Sequence, residues 1–521
     1  MKTVVLGFDG VEPTLLDRLE SEGKMPGFED LRGDGLYSQL DSTVIPISAM
    51  AWSSFLTGVN PGKHGVYDFI SRSAPDSAEF DLTTSNTRQA PAMWDYLNAV
   101  GKRVGVVGMP VTYPVDEFDG FAVSGYPTPH REQSFWPPEL EETSPVDPGE
   151  MHAKVHFDGT NREDFIEDQF RQFDAIERFH NHALDEKEWD LLVTVFKQTD
   201  DIAHVAWDDP ELHDIYQEAD RVLRETRQRL EAMDEEYLLI ILSDHGFGPV
   251  DKTLFLNNVL RDLGFLELKS GLGTKMRDTL SKAGLNMLNA YRVASLLGLG
   301  ERLMSVGFDD ESSKAKLLSG LRNALLIGTH DIDTDRSACF SRGNYGQIFV
   351  EDDNRTDALV EGLLDYTVDG EYIIANVHRA SEHFDGDAID LAPDLMIETP
   401  DYRYLTARGF ALATDQVLTD HIIGRDAEHK QKGVFFATGS GIDADAALSE
   451  PSLEDVLPTL MYAMSEDIPT CLDGDVLELF EEASEPTFRE FDLEFERRGD
   501  DITDEEREEL RSQLESLGYA N

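Results

Sequence analysis

The sequence predicts an α/β fold, a three-layer α/β/α sandwich whose central sheet is mostly parallel. Short, almost wholly apolar runs alternate along the chain with stretches of helical periodicity. Apolar runs without polar alternation are typical of strands that are buried on both faces of a parallel sheet. The runs are Thr3–Phe8, Val104–Val107, Leu191–Phe196, Tyr237–Leu242, Gln347–Val350, Leu395–Ile397 and Val434–Ala437.

Helical spacing precedes two of these strands. Asp164–Glu186 leads into the run at Leu191, and Asp214–Met233 leads into the run at Tyr237. Such an order of helix and strand is what a parallel sheet requires, because each crossover must return the chain to the same edge.

Residues 251–340 interrupt this alternation and predict a helical insertion, or cap, over the strand ends. Its two helical segments are Leu254–Leu266 and Thr279–Leu303. We therefore expect a catalytic core formed by 1–250 and 341–480, and an acidic C-terminal tail at 481–521. The tail ends in a helix around Thr503–Leu517, for which the charge density predicts a solvated surface position.

The charge of the chain is extreme. Its 521 residues include 45 Lys and Arg but 103 Asp and Glu, a formal net charge of −58, while 40% of the residues are hydrophobic. Dispersed acidic residues in a chain with this apolar content predict a folded protein with a carboxylate-covered surface, as in a halophile. The same charge argues against nucleic acid or an anionic membrane as a partner of the outer face.

Cysteine content and the N-terminal sequence predict a soluble, cytoplasmic protein. Cys339 and Cys471 are the two cysteines, and they are far apart in sequence. This usage is typical of a reducing compartment. The chain opens on a strand-like segment without a leader pattern, and it has no run of about 18 apolar residues, so we expect no membrane segment.

Acidic and histidine side chains stand where three of the predicted strands end. In an open α/β sheet these carboxyl ends meet at one edge, where ligands bind. Asp200 and His204 are spaced i, i+4, so that one helical turn directs both toward the same ion. A fourth candidate, His429, precedes the run at Val434. The strand-end groups are Asp9, Asp200 with His204, and the doublet Asp244–His245.

A hydroxyl nucleophile is expected at Ser48, with Ser42, Thr43, Ser53 and Ser54 as alternatives. Ser48 precedes a helix-forming stretch and so lies at the N-cap or in the first turn, where free N–H groups favour an anion. Metal ligands on several strand ends together with one hydroxyl predict a two-metal phosphoryl or sulfuryl hydrolase.

These residues carry a resemblance to the alkaline phosphatase superfamily, in its type I phosphodiesterase/nucleotide pyrophosphatase branch, as a haloarchaeal-type acidic member. The resemblance extends from residue 1 to about residue 480 and covers 251–340 poorly. Its motifs are Gly-Phe-Asp9-Gly, Ser48 nine residues before Thr57-Gly58, Asn60-Pro-Gly-Lys-His64-Gly, Thr199-Asp200-Asp-Ile-Ala-His204, Ser243-Asp244-His245-Gly, His429 before Gly433-Val-Phe-Phe, Asp455-Val-Leu-Pro-Thr-Leu460, and Ile468-Pro through Asp473-Gly474.

The resemblance implies two divalent metal ions, with zinc as the expected metal and manganese as the alternative. One ion would be held by Asp200, His204 and His429, and the second by Asp9, Asp244, His245 and the Ser48 oxygen. Asp201, His64 and His421 are the competing ligands; Asp201 breaks the i, i+4 spacing, and the family pattern makes His64 structural.

The implied activity is cleavage of a phosphodiester or pyrophosphate bond in a small-molecule substrate through a phosphoseryl intermediate on Ser48. Ser48 is followed by Ala49-Met-Ala-Trp, which lacks the x-Pro-x-Arg of sulfatases and an adjacent arginine that would clamp a dianionic monoester. Tyr67-Asp68-Phe69 stands where nucleotide pyrophosphatases carry an asparagine. A diester is therefore the preferred substrate, and the alternatives are a phosphoryl or headgroup transferase and a phosphomonoesterase.

The charge of −58 generates a prediction about salt. The Debye length falls from about 30 Å at 0.01 M salt to about 3 Å at 1 M, so molar KCl removes most of the repulsion between surface carboxylates. We expect the thermal midpoint to rise steeply with KCl and to level off below about 1 M, with activity following it. A midpoint that stays flat between roughly 0.05 M and 2 M KCl would contradict the halophile prediction.

Overall fold

An eight-stranded, mixed sheet forms the centre of the molecule. In this computed structural model the described residues are 1–75, 77, 79–129, 132–157, 161–286, 288–290, 293, 331–333, 335–407, 416–420, 425–482, 484–493 and 502–516. The strands follow one another across the sheet in the order Leu36–Asp41, Lys432–Gly439, Tyr237–Leu242, Lys2–Phe8, Leu191–Phe196, Val104–Met109, Gly120–Ser124 and Phe135–Trp136.

Five adjacent strands, from Tyr237–Leu242 to Gly120–Ser124, run parallel. Antiparallel strands complete both edges of the sheet. At the centre, Gly7 pairs with Leu242 on one side and with Val195 on the other. The three central strands are therefore in phase, and their carboxyl ends meet at the same edge.

Helices cover both faces of the sheet, which confirms the predicted three-layer sandwich. Alternate residues of the first strand divide between the layers, with Val4 and Leu6 in one apolar cluster and Val5 in the other. The helices of the first layer are Pro13–Ser21, Pro26–Asp34, Arg162–Glu186 and Pro210–Ala232. Those of the second layer are Ser48–Thr57, Met93–Ala99 and Val456–Ala463.

A smaller unit lies between the main-sheet strands Tyr237–Leu242 and Lys432–Gly439; we call the described part of residues 252–420 the small lobe. It has a four-stranded antiparallel sheet and an apolar cluster of its own that includes Leu254, Ile348 and Leu363. The strands of that sheet are, in order, Cys339–Ser341, Gln347–Val350, Leu395–Glu398 and Asn376–Arg379. A three-stranded sheet adds Tyr404–Thr406, Lys252–Leu254 and Leu418–Asp420.

The small lobe corrects part of the sequence analysis. Assigning Gln347–Val350 and Leu395–Ile397 to the central sheet was wrong, because an apolar run indicates a buried strand but not its partners. Lys252–Leu254 is a strand rather than the start of a helix. The helices of the lobe are Leu256–Asp262, Leu272–Lys282, Thr356–Leu364 and Ala380–His383. Residues 294–303 of the second predicted helix lie outside the described part, and the domain boundaries stay a prediction.

The C-terminal helix, Asp504–Ser516, packs against the main core and is not the solvated surface helix that its charge predicted. Leu510 and Leu514 are 1% and 0% exposed. Gln513 Nε2 donates a hydrogen bond of 2.8 Å to the Thr128 carbonyl, and Tyr113 donates one of 2.9 Å to Glu506. The i, i+4 leucines supply the apolar stripe that buries the helix, whatever the charge of its outer face.

Short elements complete the described structure. They are the helices Gln198–Val205, Pro61–His64 and Leu140–Thr143 and the strands Ile70–Arg72, Phe80–Leu82, Gly246–Pro249, Thr367–Val368, Glu371–Tyr372, Ala427–Lys430, Ile468–Pro469 and Phe488–Arg489. Within the residues that the structure describes, no helix combines the length and the apolar character needed to cross a bilayer.

Candidate active site

The six predicted metal ligands lie together at the carboxyl edge of the central sheet. Asp9 directly follows the first strand, and the helix Gln198–Val205, which carries Asp200 and His204, begins two residues after another. Asp244 and His245 follow Tyr237–Leu242. His429 comes from a different element, the strand Ala427–Lys430, where it pairs with Phe247. All six side chains are at most 1% exposed.

Asp200, His204 and His429 form a compact triangle of ligand atoms. Asp200 Oδ1 lies 3.5 Å from His204 Nε2 and 3.0 Å from His429 Nε2, and the two nitrogens are 3.3 Å apart. Ligands bound tetrahedrally at about 2.0 Å from a zinc ion stand roughly 3.3 Å from one another. The triangle therefore has the dimensions of one face of such a coordination shell.

His245 is the centre of the second group. Its Nε2 lies 3.4 Å from Asp9 Oδ1, 3.3 Å from Asp244 Oδ2 and 3.1 Å from Ser48 Oγ. A ligand atom of Asp200 also lies within 4.8 Å of those of Asp9 and His245. Asp200 thus stands between the two groups, whereas the sequence analysis assigned it to one of them.

The three imidazole rings are oriented alike. Nδ1 contacts a backbone carbonyl oxygen in each case: Ala427 at 3.1 Å from His204, Gly246 at 3.0 Å from His245, and Pro46 at 2.7 Å from His429. A carbonyl oxygen can only accept, so Nδ1 carries the proton and Nε2 presents its lone pair to the site. This outer contact is what metal-binding histidines use to fix their tautomer.

Carboxylate oxygens complete a cluster of acceptors that lacks donors. Asp9 Oδ1, Asp200 Oδ1 and Asp244 Oδ2 are buried and accept no hydrogen bond. Burial and the neighbouring carboxylates raise the pKa of Asp9 well above its ordinary value. Burial raises the pKa of Asp244 to about 7 and lowers that of His204 to about 3. The inward carboxylate oxygens and the imidazole Nε2 lone pairs therefore fit a bound cation. Such a cation would offset the cost of burying all of these acceptors.

A hydrogen bond from Trp52 orients the Asp9 carboxylate, and Gly10 lets the chain turn away directly after it. Trp52 Nε1 donates a hydrogen bond of 3.0 Å to Asp9 Oδ2, which leaves Oδ1 directed at the site. Gly10 has φ +68°, and a Cβ there would stand 2.9 Å from the Phe247 ring. The residue after Asp9 must therefore be glycine, because the chain turns sharply beneath an aromatic ring.

Lys197 is a site residue that the sequence analysis missed. Its Nζ lies 2.6 Å from Asp200 Oδ2 and 2.6 Å from Asp201 Oδ1, and its side chain is 4% exposed. Burial raises the pKa of Asp200, but Lys197 and the histidines outweigh it and the net shift is well below the ordinary value. Lys197 thus keeps Asp200 ionised, and its i, i+3 spacing from Asp200 is the signal that could have revealed it.

Ser48 is the first residue of the helix Ser48–Thr57, and its side chain does not cap that helix. Three of the four competing hydroxyls have other contacts, whereas Ser42 Oγ is buried without a hydrogen-bond partner in the described part of the structure. Ser53 and Thr43 donate to the backbone carbonyls of Ala49 and Ile45, each at 2.7 Å, and Ser54 lies 3.2 Å from His64 Nε2. Among the described residues, Ser48 is the one predicted hydroxyl in contact with a predicted ligand.

Two of the three competing ligands can be located. Asp201 faces Lys197, and His64 contacts Ser54 and accepts a hydrogen bond of 3.1 Å from the Val66 N–H. Neither residue belongs to the two groups of converging ligand atoms in the described part of the chain. His421 lies outside the described residues.

Comparison with known proteins assigns the chain to a family. Residues 3–298, more than half of the chain, match the family described as type I phosphodiesterase / nucleotide pyrophosphatase. The chain belongs to this family. No curated protein sequence matches it.

Many solved structures, among them the following two, are similar to the chain. Phosphonoacetate hydrolase from Sinorhizobium meliloti 1021 is 13% identical with a TM-score of 0.56, over 89% of this chain and 95% of that one. Human ectonucleotide pyrophosphatase / phosphodiesterase 5 is 12% identical with a TM-score of 0.49, over 91% of this chain and 97% of that one. The first of these similarities supports the α/β fold.

Family membership confirms the predicted branch and makes the protein a phosphoric ester hydrolase of the phosphodiesterase and pyrophosphatase type, whereas the haloarchaeal type stays a prediction. Metal dependence is typical of the family, and the two groups of converging ligand atoms are where this family member could hold metal.

A second unpredicted contribution comes from the small lobe. The Tyr345 hydroxyl lies 2.9 Å from His429 Nδ1 and donates a hydrogen bond of 2.8 Å to Glu428 Oε2. The lobe thereby supports a predicted metal ligand from outside the central sheet. No sequence signal points to Tyr345, because 84 residues separate it from His429.

The two groups generate a prediction about metal content. Asp244→Ala and His204→Ala should each lose one ion of two per chain, and the ions should be different ones, because these side chains belong to opposite ends of the cluster. Asp200→Ala should weaken both sites, since its carboxylate stands between them. Metal analysis of the purified variants after dialysis in molar KCl measures this.

Asp201→Asn is the matched control for Asp200→Ala. It alters the neighbouring carboxylate on the same lysine but leaves both ligand groups complete, so it should retain two ions per chain. If Asp244→Ala and His204→Ala both retain two ions, the assignment of ligands to two sites is wrong.

Proposed function

We propose that this family member is a two-metal phosphodiesterase that acts through a phosphoseryl intermediate on Ser48. One observation carries the proposal: six buried Asp and His side chains converge, the inward oxygens of the three carboxylates accept no hydrogen bond, and Ser48 Oγ lies 3.1 Å from His245 Nε2 among them. A hydroxyl beside a cation site can lose its proton more easily, and the first turn of a helix favours the anionic phosphoryl group that it attacks. Ser48 therefore meets the requirements of a nucleophile toward phosphorus.

The donor set suits zinc, with manganese as the alternative. Asp200, His204 and His429 would hold one ion, and Asp9, Asp244, His245 and Ser48 Oγ the other. Three imidazoles are borderline ligands and three carboxylates are hard ones; zinc accepts both kinds, and the carboxylate share would also suit manganese. When bound, the two ions would neutralise charge on the phosphoryl oxygens and lower the pKa of the Ser48 hydroxyl.

The proposed reaction has two steps, transfer of the phosphoryl group to Ser48 and hydrolysis of the resulting intermediate. In the first, Ser48 Oγ bonds to phosphorus, the bond from phosphorus to the ester oxygen breaks, and the alcohol leaves with the serine proton. In the second, water adds to phosphorus and Ser48 is released with a proton. The first N–H groups of the helix Ser48–Thr57 have no intrahelical acceptor, and they favour the anionic oxygens of the phosphoryl group.

The surroundings of His429 support a diester rather than a pyrophosphate. A pocket beside this histidine is lined by three tyrosines, by uncharged polar and apolar side chains, and by Glu428. The tyrosines are Tyr345, Tyr402 and Tyr404, and the other uncharged polar residues are Asn344, Thr399 and Thr406. Within the described part of the chain, its lining contains no lysine or arginine. A second phosphate would require such a cation, whereas an uncharged alcohol group would not.

Replacement of the nucleophile tests the proposal. Ser48→Ala should lower turnover by roughly a thousandfold or more while both ions remain bound, because it removes the attacking oxygen but none of the six Asp and His ligands. Ser48→Thr should retain part of the activity. Acid quenching during turnover, followed by peptide mass spectrometry, should detect on Ser48 the phosphoryl group together with the ester group that it retains.

Ser53→Ala is the matched control on the same helix. Its hydroxyl bonds to the Ala49 carbonyl and faces no ligand, so turnover should stay within a fewfold of the unmodified enzyme. Turnover close to that of the unmodified enzyme in Ser48→Ala would exclude Ser48 as the nucleophile.

Substrate class is a separate prediction. A panel of chromogenic phosphate monoesters, phosphate diesters, pyrophosphates, phosphonates and sulfate esters, assayed in molar KCl with zinc or manganese, should give the highest kcat/KM with a phosphate diester whose two ester groups carry no charge. The pocket at His429 offers no described cation to a second anionic group. A preference for pyrophosphates or monoesters would contradict the assignment, and transfer to an added alcohol would favour the transferase alternative.

A further inference from the structure

The helix Leu272–Lys282 in the small lobe has an inverted burial pattern, with polar side chains buried and apolar side chains exposed. Its buried residues are Thr274 and Ser281, which are polar, while Leu272 and Met276 are 91% and 60% exposed. Thr274 donates a hydrogen bond of 2.7 Å to Asp331, so the polar side is the one that attaches the helix to the lobe. At 100° per residue, Leu272, Met276 and Leu280 form a stripe on the opposite side.

The segment that carries this stripe has a positive formal charge, whereas the chain as a whole is negative. Residues 268–285 contain four basic residues and one acidic residue, in a chain whose net charge is −58. On the helix, Lys275 and Lys282 border the apolar stripe along one side. Lys282 lies 2.8 Å from Asp278, whereas no ion pair involves Lys275 in the part of the chain that the structure describes. Beyond the helix, Leu285 extends the apolar surface and is 60% exposed.

We propose that this face, formed by Leu272, Met276, Leu280 and Leu285 with Lys275 and Lys282, docks the enzyme on an anionic lipid bilayer. A helix that lies flat, with leucine and methionine outward and lysines at the border, matches the interface between headgroups and acyl chains. Each lysine stem can lie along the apolar boundary while its ammonium reaches a lipid phosphate.

Charge and shape distinguish a bilayer from the other occupants. A second copy of the chain pairing through the same face would bring Lys275 and Lys282 of one copy toward those of the other, and these like charges repel. A folded protein partner binds best where anchors enter a shaped pocket, whereas Leu272 and Met276 are exposed side chains on the outer side of a helix. Fluid hydrocarbon adapts to such side chains without a preformed counterpart.

The net charge of the whole molecule does not prevent this contact at high salt. At about 1 M KCl the Debye length is about 3 Å, so carboxylates elsewhere on the surface are screened from the membrane. Charges that touch headgroups directly still interact. The local excess of lysine therefore determines which face can approach, although the composition of the chain argues against anionic membranes for the surface as a whole.

Vesicle sedimentation in about 1 M KCl tests the proposal with the full-length enzyme. The unmodified protein should bind phosphatidylglycerol vesicles at least threefold more strongly than phosphatidylcholine vesicles. Leu272→Asp with Met276→Asp should lower the partition coefficient at least tenfold on both, because apolar insertion is lost. Lys275→Glu with Lys282→Glu should lower binding to phosphatidylglycerol alone. Turnover of a soluble diester should be unchanged in both variants, which shows that they fold.

Two matched controls carry the same chemical changes elsewhere. Phe488→Asp replaces another exposed apolar side chain, 59% exposed, and Lys154→Glu reverses an exposed charge; both should bind vesicles as the unmodified protein does. The proposal is overturned if the unmodified protein binds neither vesicle, or if the aspartate pair binds normally. It is also overturned if sedimentation velocity shows a dimer that the aspartate pair dissociates, since the occupant is then a second copy.

Discussion

Convergence of lone pairs in a buried volume is the constraint on which the site depends. Three imidazole nitrogens and three carboxylates face one another, with their other atoms held by the backbone, Trp52 and Lys197. Desolvated acceptors at 3.0 to 3.5 Å repel one another unless a cation lies between them. A central sheet with buried, in-phase strands is rigid enough to hold groups against that repulsion.

The outer contacts of the ligands are as informative as the ligands themselves. Each histidine uses a carbonyl oxygen to fix its tautomer, and that oxygen comes from an element next to the ligand in space. His429 depends on Pro46, just before the helix of Ser48, and on Tyr345 of the small lobe. The helix of Ser48, the sheet edge and the small lobe are therefore coupled through one imidazole ring.

Surface charge and site chemistry are separate properties of this chain. The carboxylates that give the net charge of −58 are dispersed and mostly solvated, whereas Asp9, Asp200 and Asp244 are buried and directed. Salt screens the first set and hardly affects the second, because screening requires mobile ions between the charges. The helix Leu272–Lys282 of the small lobe is a third case, because residues 268–285 contain more basic than acidic residues although the chain as a whole is strongly acidic.

The sequence by itself determined the layers of the core, the strand ends and the six Asp and His side chains that converge there, because apolar periodicity and residue order are local properties. The motif order also identified the family. Tertiary structure alone decided that Gln347–Val350 joins a separate sheet, that Leu510 and Leu514 bury the C-terminal helix, and that Asp200 stands between both groups. It also brought Lys197, Tyr345 and the three carbonyl oxygens to the site. These features depend on which distant segments meet, and pairing across hundreds of residues leaves no periodic trace in a single sequence.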